Sequence, residues 1–165
     1  MKTLIIIIST LLIVSCNPFA PALSVDDAKF AGVGDQRLLS GVFQNFRYAY
    51  QFKDTIAYGR LLDDEFTFIY RNYDAGVDYS WGRAQDMNTT AGLFNAAQSL
   101  DLLWNDVVAQ FGDSLNVDVS RGFNLTIMFT PEDVIRLQGR VNLRLQRQNQ
   151  ESAWKIVRWR DESNY

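Results

Sequence analysis

Between Val134 and Gln148 the chain reads VIRLQGRVNLRLQRQ, and the alternation hardly slips. Ile135, Leu137, Val141, Leu143 and Leu145 fall on one parity, with Gly139 among them, while Arg136, Gln138, Arg140, Asn142 and Arg144 fall on the other. Successive side chains of a strand point to opposite faces. A period of two with one apolar face therefore predicts a long, half-buried antiparallel strand. Such a strand needs a cover, and the preceding sequence supplies amphipathic helices to make one.

Gln36 to Phe52 brings Leu39, Val42, Phe43, Phe46, Ala49 and Tyr50 onto one face at three- and four-residue steps, which predicts a helix. Asp54 is placed to cap a second, shorter helix carrying Ile56, Tyr58, Leu61 and Leu62. Glu65 to Tyr70 is rich in strand formers, with Phe66 and Phe68 on one parity. Arg71 to Ser80 is expected to be a loop. Trp81 to Asn95, with Met87, Ala91 and Phe94 on one side, is expected to be a third helix despite Gly82 and Gly92. Four strands follow: Ser99 to Val108, Val117 to Phe129, the long alternating stretch, and Ala153 to Asp161. The expected class is α+β, a curved and mainly antiparallel sheet wrapped around three N-terminal helices.

The N-terminus tells a separate story. A short positive start, Met1-Lys2-Thr3, precedes the aliphatic run from Leu4 to Val14. That run falls short of the roughly 20 apolar residues a membrane-spanning helix needs, and it suits a signal-peptide core. It ends in Ile13-Val14-Ser15-Cys16, which resembles the bacterial lipobox, and Cys16 is the only cysteine in the sequence. The resemblance implies cleavage before Cys16 and a lipid on its thiol, an anchor holding the protein on an envelope membrane. Asn17 in place of an aspartate favours the outer membrane over the inner. The expected organisation is a leader over residues 1–15, a lipidated N-terminus and tether over 16–34, and one domain over 35–165. With Cys16 acylated, neither a disulfide nor a cysteine nucleophile remains.

The order of elements, with the Phe46–Tyr50 helix, the LLDDEFTF segment from Leu61 to Phe68 and the closing GRVNLRLQRQ…AWKIVRWR pair, resembles the nuclear transport factor 2-like superfamily. The resemblance implies a cone with an internal pocket. It does not imply one activity, because the superfamily holds isomerases, dehydratases, polyketide cyclases and non-catalytic members.

The sequence contains no histidine, which excludes imidazole as base, triad member or metal ligand. Scytalone dehydratase-like members pair histidine with aspartate, so that branch finds no counterpart here. No cofactor and no metal are expected. Asn72, Asp74, Gly76 and Asp78 faintly resemble a calcium loop, but Arg83 stands where an EF-hand requires glutamate, and an ordinary polar loop is expected. The candidate pocket residues are Tyr50, Asp54, Tyr58, Asp64 and Phe66. An isomerase-like site would need an aspartate base with a tyrosine and a protonated acid as donors, for which Asp54, Asp63 and Asp64 with Tyr48, Tyr50 and Tyr58 offer the residue types. The plainer reading has Asp54 as a helix cap, Asp64 in a solvated turn and the tyrosines as core.

Charge is unevenly placed. From Val134 to Arg160 there are seven basic residues and one acid, whereas Asn17 to Asp133 carries eight basic and sixteen acidic. With a sequence pI near 4.9, nucleic acid is not an expected partner. The basic sheet face is either compensated within the molecule or offered to a second copy or another protein, with Arg140, Arg144, Arg158 and Trp159 as candidate interface residues. Strict alternation in the last strand sets Trp154 and Ile156 against Val157 and Trp159, one pair inward and one outward. The expected function is a non-catalytic envelope module that binds a small apolar ligand or a partner. The alternatives are an isomerase, cyclase or dehydratase using an Asp/Tyr pair, and a structural accessory of an envelope assembly. A carboxylate raised in pKa by burial at the pocket would favour the enzyme, and a pocket without one the binder.

Overall fold

The computed structural model describes residues 33–162. The leader, Cys16 and nearly all of the tether lie outside them. Helix α1 (Leu39–Gln51) and helix α2 (Thr55–Leu61) lead into strand β1 (Leu62–Asn72) and strand β2 (Val77–Gly82). Helix α3 (Arg83–Ala96) then precedes β3 (Ser99–Gly112), β4 (Asn116–Thr130), β5 (Asp133–Gln146) and β6 (Lys155–Asp161). The strands form one open, six-stranded sheet in the order β2-β1-β6-β5-β4-β3. Every neighbouring pair is antiparallel except β1 with β6. The expected α+β class and the three helices stand.

The long alternating stretch is β5, paired with β4 on one side and β6 on the other. Val141, Leu143 and Leu145 are 0–1% exposed, each worth about 1.5–3 kcal/mol of apolar burial. Ile135, on the same parity, is 42% exposed, so the helices cover only the C-terminal half of the apolar face. Their contribution is the buried stripe Val42, Phe43, Phe46, Ala49 and Tyr50 of α1, with Tyr58 and Leu61 of α2.

Two expectations are corrected. Arg71 to Ser80 is not a loop: β1 and β2 form a hairpin in which Tyr70 faces Tyr79 and Phe68 faces Trp81. Both ring pairs stack, at 5.4 Å and 4.4 Å between centroids, and such cross-strand aromatic pairs hold a ladder together. Gly76, at φ 69°, supplies the left-handed residue of the turn, and Asn72 Oδ1 accepts the Ala75 N–H within it. The third helix accordingly starts at Arg83 rather than Trp81.

The second correction concerns β6. Leu145 pairs with Ile156 and Arg144 with Arg158, so Val157 is an extra residue, a bulge that breaks the alternation. Ile156 and Trp159 therefore both face the core side, opposite Leu145 and Leu143. Trp159 is not on the outer sheet face.

Candidate functional site

Between the helices and the inner face of the sheet lies a cavity of about 190 Å³. Phe46 of α1 is its hub, packing edge-to-face on Tyr58, Trp104 and Trp159 with centroids 5.2–5.5 Å apart and stacking on Tyr50 at 5.1 Å. Phe68 and Trp81 extend the aromatic wall, and Leu102, Leu125 and Val141 fill the sheet side. Thr89, itself exposed, marks where the wall meets solvent.

The polar centre of this wall is Asp86, in the first turn of α3 and 4% exposed. Tyr58 donates its hydroxyl to Asp86 Oδ2 at 2.6 Å, and the Trp81 indole N–H donates to Oδ1 at 3.0 Å. Burial pushes the Asp86 carboxyl above its ordinary range, and the two donors hold it back only in part. Burial first, then the proximity of Tyr50 and Asp86, drives the Tyr58 phenol well above its usual value, so it stays protonated and remains a donor.

Helix α3 carries this chemistry on an unusual stripe. Its buried residues are Asp86, Thr90 and Phe94, spaced four apart on one face. The expected apolar side put Met87 and Ala91 there instead; both are only half-buried. The spacing Asp86-Thr90-Phe94 was the available signal, masked because an acid and a threonine are not counted as core.

The sequence candidates divide. Tyr50 and Tyr58 line the cavity. Asp54 does not; it caps α2, accepting the Ile56 and Ala57 N–H groups at 2.9 Å each. The Asp64 side chain is 97% exposed and lies 4.0 Å from Arg83 at a separate surface depression. Phe66 is core, 2% exposed, and does not reach the cavity wall. Trp159, expected as an outer candidate, lines the cavity, and its buried indole nitrogen has no hydrogen-bond partner among the described residues. Asp161, two residues further along β6, lines it too.

On the outer face, Arg144 makes a forked pair with Asp118 at 2.8 and 3.0 Å, and Arg158 reaches the same carboxylate at 3.4 Å. Arg160 and Arg71 share Asp78 at 3.0 and 3.1 Å. Much of the basic surplus is thus compensated within the sheet. Such exposed pairs contribute only about 0–1 kcal/mol each. Arg140 is exposed beside a shallow surface depression. Phe111, 71% exposed, pairs with Asp118 in the ladder and leaves an apolar edge next to these arginines.

No family model matches the sequence, and no curated protein matches it either. Solved structures do. A nuclear transport factor 2-like protein from Cytophaga hutchinsonii superposes with a TM-score of 0.61 at 15% identity, covering 76% of this chain and 95% of its own. A candidate scytalone dehydratase from Novosphingobium aromaticivorans gives 0.66 at 13% identity, covering 78% and 83%. A candidate dehydratase of the same structural class from Streptomyces avermitilis gives 0.60 at 13%, covering 85% and 98%. At these identities the likeness is one of fold.

Proposed function

From the nuclear transport factor 2-like fold as premise, we propose that this is a small-molecule-binding protein of the bacterial envelope, moored by lipid on Cys16 and holding its ligand in the aromatic cavity against Asp86. The observation that carries the reading is the cavity itself: a largely apolar space, open to solvent beside Thr89, with one buried, doubly hydrogen-bonded carboxylate in its wall. Apolar concavities with a few fixed polar groups are what small-ligand sites are made of. The leader pattern ending at Cys16 supports the location, and the uncompensated part of the outer face, around Arg140 and Phe111, is where a second copy or a partner would sit.

A second reading has its own support. Asp86 is raised by burial and linked to a protonated Tyr58, the pairing that an acid–base isomerase or dehydratase requires. Two of the structural neighbours carry dehydratase names. Without histidine, the aspartate would carry the proton alone. Against this, both oxygens of Asp86 are already engaged, which suits a fixed anchor better than a mobile base.

The test is calorimetric titration of the detergent-solubilised full-length protein with compact probes of different charge: phenol, cyclohexanone and choline. Saturable heat from at least one, lost in Leu93→Trp, which fills the cavity, supports a binding site. No saturable heat from any of them overturns it. Enzymic proton transfer would instead show as deuterium exchange at the α-carbon of cyclohexanone, followed by NMR and abolished in Asp86→Asn.

A further inference from the structure

The charges in the cavity wall are of one sign. Asp86 and Asp161 line it, and no lysine or arginine is among the described lining residues. An anionic ligand would meet two like charges in a small space walled mainly by apolar side chains, which costs more there than at an open surface. Asp86 has a second deficit. Its two partners, Tyr58 and Trp81, are neutral donors, and among the described residues no basic side chain pairs with it. A buried carboxylate without a counter-charge is expensive to keep ionised, and a ligand could supply what the protein does not.

The rest of the wall has matching chemistry. Eight of the sixteen lining side chains are aromatic, three of them tryptophan. Indole is the ring that attracts a cation most strongly. The same cluster already holds one from the other side: Arg121 Cζ sits 4.6 Å from the Phe43 ring centroid and 5.9 Å from that of Trp104. At about 190 Å³ the space is below the roughly 300–1,000 Å³ of ordinary drug-sized sites, so the ligand must be compact.

We infer that the cavity takes a small organic cation, an alkylated ammonium whose charge faces Asp86 and Asp161 and whose alkyl groups lie among the rings of Trp81, Trp104 and Trp159. This rests on the binding reading above and adds the sign of the ligand's charge. A neutral apolar compound of the same shape would fill the space without relieving the buried carboxylate.

The experiment compares choline with its uncharged isostere 3,3-dimethylbutan-1-ol, both by calorimetry on full-length protein in dodecyl maltoside. Choline is expected to bind about tenfold or more tightly than the alcohol. Asp86→Asn should remove most of that preference, weakening choline far more than the alcohol. Should Asp86→Asn fail to fold, Asp161→Asn, at the end of β6, should weaken choline more than the alcohol, by a smaller factor. Equal or tighter binding of the alcohol overturns the inference, as does an equal effect of the substitutions on both compounds. Binding of phenol or cyclohexanone without choline would overturn the cation and leave the cavity reading standing. Silence from every probe would remove both.

Discussion

The hydroxyl of Tyr58, on α2, donates at 2.6 Å to the carboxylate of Asp86, on α3, and neither residue is more than 4% exposed. The bond ties two helices 28 positions apart to one point in the cavity wall. Tyr58→Phe keeps the ring that packs on Phe46 at 5.5 Å and removes only the donor. Leaving a buried carboxylate one partner short should cost about 1–3 kcal/mol of unfolding free energy, read from urea denaturation. A change near zero would mean the two groups are not energetically coupled.

Leu143 and Ile135 share a parity on β5 but not an environment: one is 1% exposed, the other 42%. Leu143→Ala should cost about 2–5 kcal/mol, the usual range for a buried leucine, and Leu143→Asp should prevent folding. Ile135→Ala should cost less than about 1 kcal/mol, because little burial is lost. Thermal melts of the three variants check this. Comparable losses at both alanine positions would contradict the uneven cover over this strand.

The contrast between those two residues marks how far the letters alone carry. Period-two alternation revealed β5 and its inward parity because one face is apolar and the other charged. It could not reveal how far the helices reach along that face. The hairpin from β1 to β2 is hard to read in the letters although Val77, Tyr79 and Trp81 alternate, because the turn residues Asp74 and Gly76 interrupt the pattern. Unbroken alternation through β6 would set Trp159 opposite Ile156. The bulge at Val157, a property of pairing with β5, reverses its direction. Asp86 escaped for a different reason. A buried acid is recognisable only once its donors, Tyr58 and Trp81, are seen to converge from other elements.

The lipid anchor proposed at Cys16 predicts a simple phenotype. Several acyl chains hold a protein on a membrane far more firmly than one, and removing the acceptor thiol removes all of them. Cys16→Ser should move the protein from the detergent phase to the aqueous phase in Triton X-114 partition and release it from the membrane fraction. Unchanged retention would end the anchor proposal.

Asp86 and Asp118 should respond to pH in opposite senses. Burial raises Asp86 above its ordinary value of 3.8, so the folded state holds that proton more tightly than the unfolded chain. Its contribution to stability is complete below the ordinary value and is lost as pH rises through the raised one. Asp118 is lowered, chiefly by its hydrogen bonds with Arg144, so its contribution is present above the ordinary value and is lost as pH falls through the lowered one. Melting temperatures recorded from about pH 3 to 7 should therefore show the difference between wild type and Asp86→Asn shrinking as pH rises, and that between wild type and Asp118→Asn growing. Asp118 is exposed enough that its effect will be small and weakened by salt, whereas that of Asp86 should survive added salt. Slopes of the same sign for the two variants would show that Asp86 is stabilised as an anion in the folded protein, which would require a counter-charge that no described residue of the cavity wall supplies.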